Sequence, residues 1–532
     1  VRGQPLDHAE TSGGLTRLVA VALGLVLAAG VALYAAVAVK MLAYPHEVIV
    51  TEAAIGLAVQ SLVNGLGLYD AARWLEEPFV IIHYTPLYYL ITAGWVKLFG
   101  GGLYAGRWIS ILATTGTAMV AGHLVRKETG SLPVGLAASA VWLSFYQVVF
   151  WGTTQRVDAL GTFFEAIGIM AFVLARRKGR TGFGALPRFV AAWATKQVMV
   201  VAITAATLDL LMDDRRHGRP LLAGRAMRFA AMGGGALVAL FAGLTLFTSG
   251  NFWTAAVDGT ISGHADTPWV IFSNAELFFG SPWNMVTFMG ASLLTGFGLA
   301  GRLRREAPAA SSGIPHLSGV MDAPAPAGAA AAPAGSRRPS GWSPFFFLGL
   351  YLWLGLALAI ATDANLPRFF PPMLAMALIL PLGLQRLRRR PELAAALMAV
   401  LVFTGGFHIL YEMRSLVRER VLTLNDSNDR LRFAATAARL APDGGPALAQ
   451  DAGMLVSAGL PVIMGDPYVF SILAGNDAWR PDILVEGVRS GRYDLVILNR
   501  PAEELDPNEW TTRWIAPAKE DLLQRYRLAE TL

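Results

Sequence analysis

Residues 83–99 read His83-Tyr84-Thr85-Pro86-Leu87-Tyr88-Tyr89-Leu90-Ile91-Thr92-Ala93-Gly94-Trp95-Val96-Lys97-Leu98-Phe99. The apolar part, Pro86–Phe99, has about 14 residues, while a helix needs about 20 to cross a hydrocarbon core roughly 30 Å thick. The spacing therefore predicts a helix lying in a membrane interface rather than a span. That reading decides which side every neighbouring loop occupies.

Working outward, 54% of the 532 residues are hydrophobic and 15% are charged, against roughly 25% charged in soluble domains. An ordinary soluble enzyme is excluded. Apolar blocks of span length fall near Leu18–Met41, Leu103–Val125, Leu132–Phe150, Ala159–Ala175, Ala226–Thr248, Met285–Ala300, Pro344–Ala361, Pro367–Leu384 and Leu393–Leu410. With Pro86–Phe99 in the interface, Arg126-Lys127, Arg176–Lys178, Arg215–Arg219, Arg302–Arg305 and Arg386–Arg390 all fall on the cytoplasmic side, as does the N-terminus. The opposite loops, 42–103 and 250–283, are acidic. The net charge of +6 is then the mark of basic cytoplasmic loops, and nucleic acid is not expected as a partner.

Between Phe183 and Met212 an apolar stretch is interrupted by Thr195-Lys196-Gln197, and both of its flanks are basic. One crossing cannot begin and end on the same side. Two half-helices meeting at Lys196 can, because irregular backbone is tolerated at depth where it lines a cavity within the protein.

The expected fold is an all-α polytopic bundle of about eleven membrane segments over residues 1–412, with juxtamembrane helices in the first outer loop. Residues 306–341, rich in Ala, Pro and Gly, read as a disordered cytoplasmic loop. Residues 413–532 return to ordinary polarity and predict a small outer α/β domain. Its expected elements are helices at Asp429–Leu440 and Pro481–Ser490 and strand-like runs at Leu460–Met464 and Tyr493–Asn499. No strand there is followed by a Gly-rich phosphate loop. The chain has no cysteine, so thiol chemistry and disulfides are excluded.

Several polar groups stand where the membrane makes them expensive. Thr51 and Glu52 open a helix in the first outer loop, where Thr51 suits a cap and Glu52 suits the helix dipole. Arg156 and Asp158 sit in a short second outer loop, and Asp158 could equally be a helix cap. If functional, Glu52 and Asp158 form a carboxylate pair able to serve as general base and as its electrostatic or metal-binding partner. Lys196, within a broken apolar hairpin, must face an internal carboxylate, a carbonyl cage or a bound phosphate. Arg368 and Arg107 lie at outer span ends against the positive-inside trend, which suits an anionic headgroup or, for Arg107, an interface anchor. His83 and Tyr84 enter the interfacial helix, where Tyr is expected as a belt residue. His264 and Asp266 make a weak metal pair, so a divalent cation stays open as a cofactor.

The sequence resembles the polyprenyl-phosphate-sugar-dependent membrane glycosyltransferases of GT-C fold, the glycosyltransferase family 39-like group. That group includes protein O-mannosyltransferases, aminoarabinose transferase and lipopolysaccharide-core galacturonosyltransferases. The matching stretches are Tyr44-Pro45 through Thr51-Glu52-Ala53, His83 through Tyr89, Leu98-Phe99-Gly100 through Gly106-Arg107, Arg156-Val157-Asp158 and Thr195-Lys196-Gln197. The resemblance implies transfer of a sugar from a polyprenyl phosphate to a glycan, lipid or protein acceptor on the outer face of a bacterial inner membrane. It also implies Glu52 as base with Asp158 as second acid, and Lys196 and Arg368 on the lipid phosphate, with His83, Tyr84, Arg156, Arg107 and Gln197 around the substrate. Many relatives carry Asp-Glu where this chain has Thr51-Glu52, which leaves Glu47 as the alternative base. The competing classes are a transporter or flippase of lipid-linked sugars and a lipid-linked glycan ligase or polymerase. The broken hairpin is not repeated in the second half of the sequence, which weighs against transport.

Overall fold

A computed structural model of the chain describes residues 8–220, 222–260, 268–306, 342–361, 366–425, 429–509 and 511–531. The expected disordered loop, apart from Glu306, and the pair His264/Asp266 lie outside these residues. Seven of the described helices are long and apolar enough to cross a membrane: Gly14–Ala43, Gly106–Thr129, Val157–Arg177, Arg225–Phe247, Pro344–Ala361, Phe370–Arg389 and Pro391–Leu422. Shorter apolar helices include Thr51–Val63, Leu87–Phe99 and Leu132–Ser144.

The local sequence explains where these helices begin and end. Proline stands in the first turn at Leu132–Ser144, Leu186–Thr195, Phe370–Arg386 and Pro391–Phe407, where its missing N–H leaves no intrahelical bond unmade. Gly130, at φ 70°, closes the Gly106–Thr129 helix in the left-handed conformation that glycine adopts without a Cβ clash. Basic residues end Gly106–Thr129, Val157–Arg177 and Val201–Arg216, favoured by the helix dipole. Those ends meet: Arg177 pairs with Glu128, and Arg176 with Asp209 and Asp213. One end of the bundle is thus a basic and acidic network, and the other carries the first loop and the C-terminal domain.

The short helix expected after Pro86 forms at Leu87–Phe99, 13 residues long, below the length of a span. The broken hairpin is present: Leu186–Thr195 stops, Lys196 takes extended backbone (φ −153°, ψ 124°), and the chain re-enters a helix at Val201–Arg216. A reporter near Gly102 is expected on the side of the C-terminal domain and one near Glu128 on the opposite side. Labelling of both positions from one side would overturn this arrangement.

Three expectations require correction. Leu132–Phe150 is not one span, because the helix ends at Ser144 and Phe145 is extended before a short helix at Tyr146–Trp151. The Ser144 carbonyl is taken at 2.9 Å by His408 Nε2 instead of by the next helical turn. The last span does not end near Leu410 but winds through widened turns at His408–Glu412 and Arg418–Leu422, crossing the expected boundary at 412/413. Leu460–Met464 is not a strand. The domain's sheet pairs β1 (Ala447–Ala449) in parallel with β2 (Leu495–Ile497), in the register Ala447↔Leu495, Leu448↔Val496 and Ala449↔Ile497. Val462 only bridges to Ala447, and Met464 turns outward to bridge Phe79 of the first loop. The helices expected in this domain form at Asp429–Leu440 and Asp482–Arg489.

That outward bridge docks the domain. Phe79 N–H donates to the Ile463 carbonyl and Gly465 N–H to the Phe79 carbonyl, both at 2.8 Å. Phe79 packs edge to face on both Phe470 and Trp479, which lie tilted against each other. Trp479 Nε1 donates to the Trp74 carbonyl at 2.8 Å.

Candidate active site

The first outer loop is held by one arginine. Arg107, 1% exposed, gives Nε and Nη2 to the Glu52 carboxylate at 2.8 and 2.6 Å, and its remaining N–H groups to the carbonyls of Met41, Tyr44 and His46. All five guanidinium donors are used. Glu52 is saturated as well: Oε1 also accepts Gln155 N–H at 2.8 Å and Oε2 accepts Val48 N–H at 3.0 Å. Burial opposes the charge of Glu52, but Arg107 and these backbone donors hold its carboxyl below the ordinary range. Every Arg107 donor is engaged within the loop and both Glu52 oxygens accept two hydrogen bonds, so the pair is the keystone of the loop. Thr51 is not a cap, for its hydroxyl instead accepts Arg156 Nη1 at 2.9 Å.

Beside the keystone lies a cluster of cations from three separate elements. Lys196 Nζ meets Asp158 Oδ1 at 2.5 Å, and Arg156 Nε meets Oδ2 at 3.2 Å. All three residues are buried. Arg368, half-buried at the start of the Phe370–Arg386 helix, adds a third positive charge, and its Nε has no hydrogen-bond partner among the described residues. Asp158, Lys196, Met199, Gly355, Arg368 and Pro371 are among the residues lining a small cavity of about 20 Å³, partly open to the surroundings. Three cations around one carboxylate leave an excess of positive charge that suits an anion.

The motifs around 83 and 196 hold each other. Gln197 Nε2 donates to the His83 carbonyl and Thr85 Oγ1 to the Trp193 carbonyl, each at 2.8 Å, so loop and helix break satisfy each other's backbone. Tyr84 offers its ring face to Lys196 Nζ at 5.3 Å, and Trp151 does the same for the Arg156 guanidinium at 5.0 Å. Burial, then the charges of Lys196, Arg156 and Arg368, lower His83 to about 3, so at neutral pH it is uncharged.

The C-terminal domain packs on the first outer loop. Glu47 Oε1 accepts Ala53 N–H at 2.9 Å, while burial first and then Asp451 raise its carboxyl well above the ordinary range. Asp451 pairs with Arg430 at 2.5 Å, and Arg430 also reaches the Val48 carbonyl at 3.2 Å. Gly453 makes this approach feasible, because a Cβ there would stand 1.6 Å from Glu47 Oε2. Asp466 directly follows the segment paired with Phe79 and caps the Pro467–Gly475 helix, accepting Val469 N–H at 3.3 Å.

Asp158, Arg156, Lys196, Arg368, His83, Tyr84 and Gln197 therefore gather at one place, whereas Glu52 and Arg107 form an adjoining closed pair and Glu47 faces the C-terminal domain. The second outer loop does dock on the first, through Gln155 to Glu52 and Arg156 to Thr51, but each acid has its own cation. Sequence reasoning missed Arg430, Asp451 and Asp466. The only available signal was Gly465-Asp466-Pro467, which announces a helix start and not a site. Among the described residues, no three His, Cys, Asp or Glu side chains are placed to hold a metal ion.

Comparison with known proteins bears on this geometry. Residues 83–261 match the family model described as dolichyl-phosphate-mannose-protein mannosyltransferase. No curated protein matches the chain. Among solved structures, ArnT from Cupriavidus metallidurans in the apo state is similar at 12% identity and a TM-score of 0.55, covering 87% of this chain and 91% of that one. The same protein bound to undecaprenyl phosphate gives 12% identity and a TM-score of 0.53, covering 88% and 91%. The chain has the fold of the GT-C membrane glycosyltransferases, as the resemblance in its sequence implied.

Proposed function

We propose that this GT-C chain is an integral-membrane glycosyltransferase that takes a sugar from a polyprenyl phosphate and delivers it to a cell-envelope acceptor on the face carrying the C-terminal domain. The observation that carries the reading is the cluster of Arg156, Lys196 and Arg368 around Asp158, beside a cavity and with Arg368 Nε unpaired among the described residues. In the donor, the anomeric carbon is bonded to a phosphate oxygen. The acceptor oxygen forms a bond to that carbon, the bond to phosphate breaks, and polyprenyl phosphate departs with the electron pair. Cations around the departing oxygens stabilise the charge that develops there. In-line displacement inverts the anomeric centre. Asp158 keeps two of the cations in place before the donor arrives, which limits the cost of gathering like charges at depth.

Arg368→Gln tests the phosphate seat. Arg368 makes the least committed of the three positive contacts, so the variant is expected to fold with nearly the parent's thermal midpoint. A charge-assisted hydrogen bond contributes roughly 1.5–3 kcal/mol, so affinity for undecaprenyl phosphate should fall about 10- to 100-fold, read from ligand-dependent stabilisation in detergent. Unchanged stabilisation by the lipid would remove Arg368 from the site. Transfer of label from a polyprenyl-phosphate sugar to envelope glycans by the purified protein tests the reaction itself.

A further inference from the structure

An inverting transfer needs a proton acceptor on the far side of the anomeric carbon from the phosphate. Asp158 shares Lys196 and Arg156 with the proposed phosphate seat, so it stands on the leaving side. Glu52 has both oxygens saturated. Glu47 is sealed, 1% exposed, against Asp451. Asp466 differs from all of these. Its helix cap uses Oδ1, and Arg156 acts on it only through space, with no ion pair among the described residues. By surface exposure it is half-buried, so its carboxylate is not sealed from water. Backbone pairing of Phe79 with Ile463 and Gly465 fixes its position relative to the loop that carries His83 and Tyr84.

Building on the donor assignment above, we infer that Asp466, supplied by the C-terminal domain, is the carboxylate that takes the proton of the incoming acceptor hydroxyl. The hydroxyl oxygen bonds to the anomeric carbon, its proton passes to Asp466, and the phosphate leaves toward Arg156, Lys196 and Arg368. The domain is then part of the active site, and the acceptor enters between it and the first loop. Burial raises the Asp466 carboxyl to about 6, opposed by the backbone N–H groups of Val469 and Tyr468 and by Arg156, and assisted by Asp451. Tyr84 and Tyr89 also lie within its field. Such a group is ionised above about pH 6 and is a stronger base than an ordinary aspartate.

The test uses the full chain in detergent. Asn caps a helix as well as Asp, so Asp466→Asn should keep the parent's thermal midpoint and its stabilisation by undecaprenyl phosphate. Release of undecaprenyl phosphate from a panel of undecaprenyl-phosphate sugars, with envelope extract as acceptor, should fall by roughly 10²–10⁴-fold. The rise of the parent's turnover through about pH 6 should vanish in this variant. Asp466→Ser, which also keeps a cap, should behave the same way, and Asp466→Glu should recover part of the rate. Turnover of Asp466→Asn within about threefold of the parent, or loss of lipid stabilisation together with turnover, overturns the inference and leaves the donor assignment standing. A parent protein that is neither stabilised by undecaprenyl phosphate nor able to turn over any donor overturns both.

Discussion

Lys196→Met is expected to lower the thermal midpoint in detergent and to abolish stabilisation by undecaprenyl phosphate, while adding Asp158→Asn should restore the first property and not the second. The ammonium of Lys196 lies 2.5 Å from Asp158 with both residues buried. Removing one partner of such a pair strands a charge and costs about 3–5 kcal/mol. Arg156 remains on the other carboxylate oxygen, so the loss should lie toward the lower end of that range. Neutralising Asp158 as well removes the stranded charge. A lysine present only to balance Asp158 predicts that the double variant recovers both stability and lipid binding. A lysine that also seats the donor phosphate predicts recovery of stability alone, because the double variant still lacks a phosphate ligand. Retention of full lipid stabilisation in the double variant would exclude the phosphate role.

Arg107→Met should be the most destabilising single change in the first loop. It strands the buried Glu52 carboxylate and takes the donor from the carbonyls of Met41, Tyr44 and His46. Each buried group left unsatisfied costs about 1–3 kcal/mol, and more for a charge, so little folded protein should be recovered in detergent. Glu52→Gln is the milder probe. It keeps shape and an acceptor oxygen but leaves the Arg107 guanidinium without its counter-charge. Turnover and thermal midpoint should therefore fall together. A proton acceptor predicts instead a large rate loss with the midpoint intact, and that outcome would return the base role to Glu52. The pH dependence follows from the direction of the shift. The folded Glu52 carboxyl lies below its ordinary value, so its stabilising contribution is complete above about pH 5. It is lost only as the pH falls through the folded value, and the keystone is insensitive to pH in the neutral range.

The polytopic helical architecture, the short helix at Leu87–Phe99 and the break at Lys196 were legible in the sequence. Each rests on a local rule: the number of apolar residues needed to cross a hydrocarbon core, the sidedness of basic loops, and the cost of a charge at depth. The same cost singled out Lys196, Arg156, Asp158 and Arg368. Partnership was not legible, because Asp158 and Lys196, 38 positions apart, and Glu52 and Arg107, 55 apart, meet only once the bundle is packed. Glu52 and Arg107 each looked available when read alone, and the fold spends them on each other. Ser144 and Phe145 sit in an apolar run without Gly or Pro to mark a break, and the Ser144 carbonyl, released from the helix, is taken by the distant His408. Asp466 carried just the signature of a helix start. Its place beside the first loop follows from one strand-like bridge between Phe79 and Met464, a long-range backbone pairing that no local periodicity encodes.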